Sequence, residues 1–146
     1  MPLPLAFIER IGVPLIDEAN VETVLGAQGE DQRFLLLFAG DPAQRPEATD
    51  VAIIFPELLK AFEGRLFGAL VAAGAEKSLG QRFHVDVLPS LAVIRSGATI
   101  GVIPRVRDWS EYLEKIETFL NPEAKPLVKA AGRRVEITFS QKGATA

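Results

Sequence analysis

Cysteine is absent from all 146 positions of this chain. That removes disulfides, thiolate nucleophiles and thiolate metal ligands together. Histidine occurs once, at His84, so a histidine-built metal site lacks its parts, and no serine–histidine–acid arrangement is indicated. No nucleophile-elbow motif surrounds a serine, and the glycines are scattered rather than gathered into a phosphate loop. Long apolar runs are missing too: nothing approaches the roughly 18 consecutive apolar residues of a membrane span. The segment MPLPLAFIERIG lacks a basic leader and carries Glu9 and Arg10 inside its apolar run, so it does not read as a secretory signal. The expectation is a cytoplasmic protein that is not an enzyme, with no catalytic constellation, cofactor, metal or membrane insertion. His84 reads as a partly exposed structural histidine rather than a pH-sensitive contact.

What the chain does have is globular composition. It is 48% hydrophobic and 24% charged, enough apolar residues to build a core and too few charges for disorder. The length suits one domain. A formal net charge of −3 argues against a nucleic-acid binder of the basic kind. The charge is uneven, however. Residues 121–146 hold five basic and two acidic side chains, a net of +3, so residues 1–120 carry −6. Ordinary solvated surface explains this, as does a basic partner or contact between tail and body.

Along the chain, Pro4 to Ile11 suits a short helix ended by Gly12, and Pro14 to Asp17 a short edge strand. Asn20 is placed to cap a helix over Val21 to Ala27, with Val21, Val24 and Leu25 inward. Phe34 to Ala39, FLLLFA, is a continuous apolar run that reads as a strand buried on both faces. After a polar loop, Asp50 is expected to cap a helix from about Val51 to Glu63, striped by Ile54, Leu58, Leu59 and Phe62 and interrupted by Pro56. Leu66 to Ala72 reads as a second buried strand and Glu76 to Phe83 as a short helix. Leu91 to Arg95 and Thr99 to Pro104 flank Ser96-Gly97-Ala98 as a β-hairpin. Asp108 to Glu111 has capping-box spacing before a helix whose core stripe is expected to hold Trp109, Tyr112, Leu113, Ile116, Phe119 and Leu120. Beyond it only Arg134 to Phe139 alternates like a strand. Helices alternating with buried strands predict an α/β fold, a central mixed sheet covered by helices on both faces.

These residues resemble the thioredoxin superfamily over roughly residues 14–120. The match rests on FLLLFA leading into a loop and helix, on Pro56 inside that helix, on Phe83 to Ser90 with Leu88-Pro89, and on the hairpin before the last helix. The resemblance implies a three-layer α/β/α sandwich and a cis Leu88–Pro89 bond. Counted back from Pro56, it puts the redox cysteines at Ala48 and Val51, neither of which forms a thiolate. The domain is expected to span 1–120 with an extra N-terminal helix, and 121–146 to form a basic tail.

The loop before the third helix narrows the resemblance. Asp41, Pro42, Pro46, Glu47 and Asp50 match a D-P-x-x-x-P-E-x-x-D pattern, and with the helix at Pro4 to Ile11 they look like the HupG/HyaE hydrogenase expression/formation family. That resemblance implies a cytoplasmic accessory chaperone of [NiFe]-hydrogenase whose partner is the small-subunit precursor with its twin-arginine export signal. Other hydrogenase accessory proteins are further partners it allows, and a homodimer stays open. Carboxylates accept guanidinium groups with charge-assisted, often bidentate geometry, so Asp41, Glu47 and Asp50 are candidate partner contacts. The bland reading is equally physical: Asp50 caps a helix and Asp41-Pro42 shapes a turn. Leu88 and Pro89 are candidates for pairing with an extended peptide, or for inherited architecture alone. Arg133-Arg134 loosely mimics a twin-arginine motif and is either a self-occupying tail or an ordinary basic one. Two other classes remain open: a redox-inactive scaffold or dimerisation module, and a glutathione-handling enzyme working without cysteine.

Overall fold

In a computed structural model of the protein, residues 12–26, 32–41 and 43–127 are described. The expected helix at Pro4 to Ile11, Ala27, Pro42, and the tail with Arg133-Arg134 and the alternating segment at Arg134 to Phe139 lie outside them. Five strands and four α-helices are present among the described residues: β1 (Leu15–Ile16), α1 (Val21–Gly26), β2 (Arg33–Phe38), α2 (Glu47–Ala61), β3 (Phe67–Val71), α3 (Glu76–Arg82), β4 (Ser90–Arg95), β5 (Ala98–Pro104) and α4 (Trp109–Leu120), with a 3₁₀ turn at Ala73–Ala75 leading into α3. The strands form one sheet in the order β1-β3-β2-β4-β5. β1, β3 and β2 run parallel, and β4 and β5 are antiparallel additions. This is the mixed sheet the alternating pattern predicts.

β2 is central because its side chains are apolar on both faces. Leu35 and Leu37 pack with Val51, Phe55 and Leu58 of α2 and Tyr112, Ile116 and Leu120 of α4. Phe34, Leu36 and Phe38 pack on the other face with Val21 and Leu25 of α1 and Leu79 of α3. Burying each such leucine stabilises the fold by about 1.5–3 kcal/mol. At the β4–β5 hairpin both Ser96 (φ 53°) and Gly97 (φ 79°) are left-handed. Two successive positive φ values define the turn whose twist matches the flanking strands.

Three local expectations are corrected. α1 is introduced by Asp17, not Asn20: Asp17 Oδ1 accepts the Ala19 and Asn20 N–H groups, and Asn20 Oδ1 accepts the Asp17 N–H. That reciprocal pair is a capping box three residues earlier than the expected cap. α2 begins at Glu47, so Asp50 lies inside its first turn rather than at its cap. Pro46 (φ −55°, ψ −28°) already has helical geometry, and the Arg45 carbonyl accepts the Ala48 N–H at 2.9 Å. A proline suits this entry because its φ is preset and its missing N–H would be unpaired anyway. The earlier start shifts the buried stripe to Ala48, Val51, Ala52, Phe55, Leu58 and Phe62, leaving Ile54 and Leu59 half-buried. α4 begins as expected with Asp108 as its flanking residue, but Asp108 makes no side-chain cap bond. Its stripe is Tyr112, Ile116 and Leu120; Leu113 and Phe119 are half-buried, and Trp109 is 44% exposed. Helical side chains lean toward the N-terminus, so a tryptophan at the first position points past the helix.

After α4, Arg95 donates to the Pro122 and Ala124 carbonyls, and the Leu127 N–H bonds the Thr99 carbonyl at 2.7 Å.

Candidate functional site

The site lies where β2 and β3 end and where the turn before β4 approaches them. The C-terminal ends of parallel strands are where α/β folds place ligands, because the loops there are free to vary. Leu88–Pro89 is a cis peptide bond, as the resemblance implies. Pro89 is buried, and its carbonyl accepts the Arg105 N–H at 2.8 Å, tying the turn to the end of β5. Ser90 Oγ closes the turn by donating to the Val87 carbonyl at 2.7 Å. Neither the N–H nor the C=O of Leu88 has a partner among the described residues. Val87, next to it, is 41% exposed.

Beside this backbone runs a cleft of about 540 Å³ lined by Arg45, Glu76, Lys77, Asp86, Leu88 and Arg105, with Gln81 and small apolar residues between them. Its most constrained polar group is Glu76. Glu76 opens α3, and its Oε2 accepts the Gly40 N–H at 2.9 Å. Burial pushes the Glu76 carboxyl above the ordinary carboxylate range; the Gly40 bond and the Arg45 charge pull the other way, and Asp41 adds to the rise. Gly40 (φ 82°) lets the walls meet: a Cβ there would stand 3.1 Å from Leu88 Cβ and 3.3 Å from Arg45 Cδ.

The expected acidic group is divided among separate local tasks. Asp41 Oδ1 accepts the Ala43 N–H at 2.9 Å, and its carbonyl accepts the Gln44 and Arg45 N–H groups, so it shapes the loop. Glu47 Oε1 lies 3.2 Å from Arg105 Nε. Asp50 is exposed on the first turn of α2. Of the expected contacts only Leu88 lines the cleft; the loop reaches it through Arg45, and Glu47 through its pairing with Arg105. Pro46 stands just before α2, and Pro42 lies outside the described residues. Ala48 and Val51 are fully buried. Small apolar side chains thus close the helix start where the resemblance places the redox pair.

Sequence reasoning missed Glu76, Arg45, Lys77, Asp86 and Arg105. They come from distant segments and share no motif. One available signal was position: Glu76 follows a parallel strand, where such sites gather. His84 (φ 66°) is half-buried and outside the cleft lining. Among the described residues no three His, Asp or Glu side chains converge as metal ligands, and no helix is long and apolar enough to cross a membrane.

A mixed sheet in this order, a cis-proline turn beside the start of α2, and no cysteine define a thioredoxin-like domain without the redox pair. The family model described as "Hydrogenase-1 expression protein HyaE" matches residues 5–112. The hydrogenase expression/formation protein HupG of Rhizobium leguminosarum bv. viciae is 48% identical over 138 residues, 94% of this chain and 93% of that one. HoxO of Azotobacter vinelandii, also a hydrogenase expression/formation protein, is 41% identical over 127 residues, 86% of this chain and 82% of its own. The crystal structure of the hydrogenase expression/formation protein hupG from Rhodopseudomonas palustris CGA009 superposes with a TM-score of 0.54 at 44% identity, covering 77% of this chain and 99% of that one. The chain belongs to the HyaE/HupG family of hydrogenase expression/formation proteins.

Proposed function

We propose that the protein is a non-catalytic, cytoplasmic escort for the precursor of the [NiFe]-hydrogenase small subunit, holding it before export. The observation that carries the reading is the Leu88 backbone, without a partner among the described residues, beside a cleft of about 540 Å³. An extended segment pairs with such a backbone by strand addition, and neighbouring side chains select the sequence. The cysteine-free chain has no thiolate for exchange with its client, so binding is the function left to the fold. Partner contact falls to Leu88, beside the buried Pro89, and to Asp41, Pro46, Glu47 and Asp50 of the loop and first turn of α2, whose carboxylates attract the two guanidinium groups of a twin-arginine signal.

Calorimetric titration with the small-subunit signal peptide, its twin-lysine counterpart and the mature subunit tests this. Binding of the twin-arginine peptide that weakens with lysine and with salt supports it. Binding to the mature subunit alone keeps the escort role and moves the recognised element. Binding to neither favours a second reading, a scaffold or dimerisation module. The exposure of Ile53 (55%) on α2 and Trp109 (44%) on α4 speaks for that alternative.

A further inference from the structure

Arg45 and Glu76 line the cleft from separate segments of the chain. Arg45 stands in the loop after β2, and Glu76 is the first residue of α3. One Glu76 oxygen is held by Gly40; the other has no hydrogen-bond partner among the described residues. The Arg45 stem lies over Gly40 beside Leu88, since a Cβ on Gly40 would meet both side chains. Arg45 is close enough for its charge to act on Glu76, yet it makes no ion pair among the described residues.

The charges of the cleft set the next step. Its lining holds three cations, Arg45, Lys77 and Arg105, and two carboxylates, Glu76 and Asp86. Arg105 is paired with Glu47, which leaves Arg45 and Lys77 balancing the two carboxylates. While Arg45 stays, it and Lys77 offset the two lining carboxylates, so an arriving guanidinium meets a weaker attraction than it would without Arg45. Once the Arg45 side chain swings toward solvent, the cleft carries one net negative charge and presents an unpartnered carboxylate oxygen beside the Leu88 backbone. A charge-assisted bond to such an oxygen is about twice as strong as a neutral one.

We propose that Glu76 is the guanidinium-accepting group of the cleft and that Arg45 is the nearby cation that offsets its charge, moved aside when a client segment lays an arginine beside Leu88. This rests on the peptide-binding reading above and adds its specificity residue and the cation that offsets it.

The test is calorimetry with a synthetic twin-arginine peptide carrying an apolar flank, a twin-lysine version and a twin-glutamate version. Each is titrated into the full chain as wild type, Arg45→Gln, Glu76→Gln and the double variant, with thermal unfolding recorded to confirm folding. Arg45→Gln is expected to tighten the arginine peptide about tenfold, and Glu76→Gln to weaken it about tenfold, each a shift of about 1.4 kcal/mol. The double variant should bind like Glu76→Gln, because the gain from removing Arg45 exists only when Glu76 is there to receive the client. Unchanged or weaker binding in Arg45→Gln, or a gain that survives in the double variant, overturns the proposal while the peptide-binding reading stands. Preference for the glutamate peptide overturns it as well, by assigning the cleft to its cations. No binding of any peptide by any variant overturns the peptide-binding reading and this proposal together.

Discussion

The Gly40 N–H donates to Glu76 Oε2 at 2.9 Å, joining the end of β2 to the start of α3. The bond fixes the loop that carries Arg45 against the cleft. It also ties up a carboxylate whose burial outweighs its favourable contacts, so its folded proton affinity is raised. The folded state therefore holds this proton more tightly than the unfolded chain does. The stability from Glu76 is fully present below the ordinary carboxylate range and is lost as pH rises through the higher folded value. Glu76→Gln keeps an acceptor for Gly40 and removes the titration. Its denaturation midpoint relative to wild type is expected to be higher at pH 8 than at pH 5. A gap independent of pH would show that Glu76 is not desolvated enough to matter.

Tyr112 holds the loop on the far side of the cleft. Its hydroxyl accepts the Arg107 N–H at 3.1 Å and donates to the Arg105 carbonyl at 3.2 Å, and its side chain is fully buried. Burial pushes its phenol above the ordinary tyrosine value. Tyr112→Phe leaves a backbone donor and acceptor without their partner, which costs about 1–3 kcal/mol. Urea unfolding should show a lower midpoint with an unchanged slope. Full retention of the midpoint would mean that water replaces the hydroxyl at no cost.

Much of the fold was legible because its signals are local. FLLLFA is apolar at every position, which only a strand packed on both faces can use. Ser96-Gly97 between two apolar runs predicts its hairpin. Helix starts were less legible because several residues compete for each cap: Asp17 prevails over Asn20, and Pro46 over Asp50. The cleft was hardly legible at all. Arg45, Glu76, Asp86 and Arg105 meet only through the sheet order, and the importance of Glu76 comes from a glycine 36 residues away. The loop carboxylates were visible as charges, but their engagement by Ala43 and Arg105 depends on tertiary contacts.

Arg105 sits at φ 67°, in the left-handed region that a side chain makes costly. Glycine removes that strain of about 1–2 kcal/mol. It also gives up the exposed Glu47 pair, worth about 0.2–1 kcal/mol, and adds freedom to the unfolded chain. Arg105→Gly is thus expected within about 1 kcal/mol of wild type, while Arg105→Val should lose at least about 1 kcal/mol more, because a branched Cβ tolerates this region worst. Equal midpoints for the two variants in urea would refute the strain argument.

Gly101 and Gly68 both lie in strands, yet they should differ. A Cβ on Gly101 would overlap the ring of Phe119, a half-buried side chain packed against the core. Gly101→Ala must move that ring off β5 and is expected to cost about 1–3 kcal/mol. A Cβ on Gly68 meets the ends of Leu59 and Val13, and the Leu59 terminus can turn aside. Gly68→Ala is expected to cost below about 1 kcal/mol, the residual strain being offset by a stiffer unfolded chain. Denaturation midpoints rank the two; the reverse order would mean that the Phe119 ring moves freely.

Restoring cysteines tests whether the fold alone supports thiol chemistry. Ala48→Cys with Val51→Cys places thiols at the spacing the superfamily resemblance implies, on the buried side of the first turns of α2. A reactive thiol must reach its target as thiolate, and apolar burial raises its pKa. Both positions are fully buried, so modification should wait for local or global opening. Iodoacetamide labelling of the native double variant is expected to be on the order of 100-fold slower than in the unfolded chain and to accelerate with denaturant, with no reduction of insulin. The added sulfur at residue 48 enters a closed site and should lower stability by about 1–3 kcal/mol, which the single variants would measure. Fast labelling in the native state would show instead that the start of α2 opens readily, and that loss of the cysteines alone separates this protein from a redox-active one.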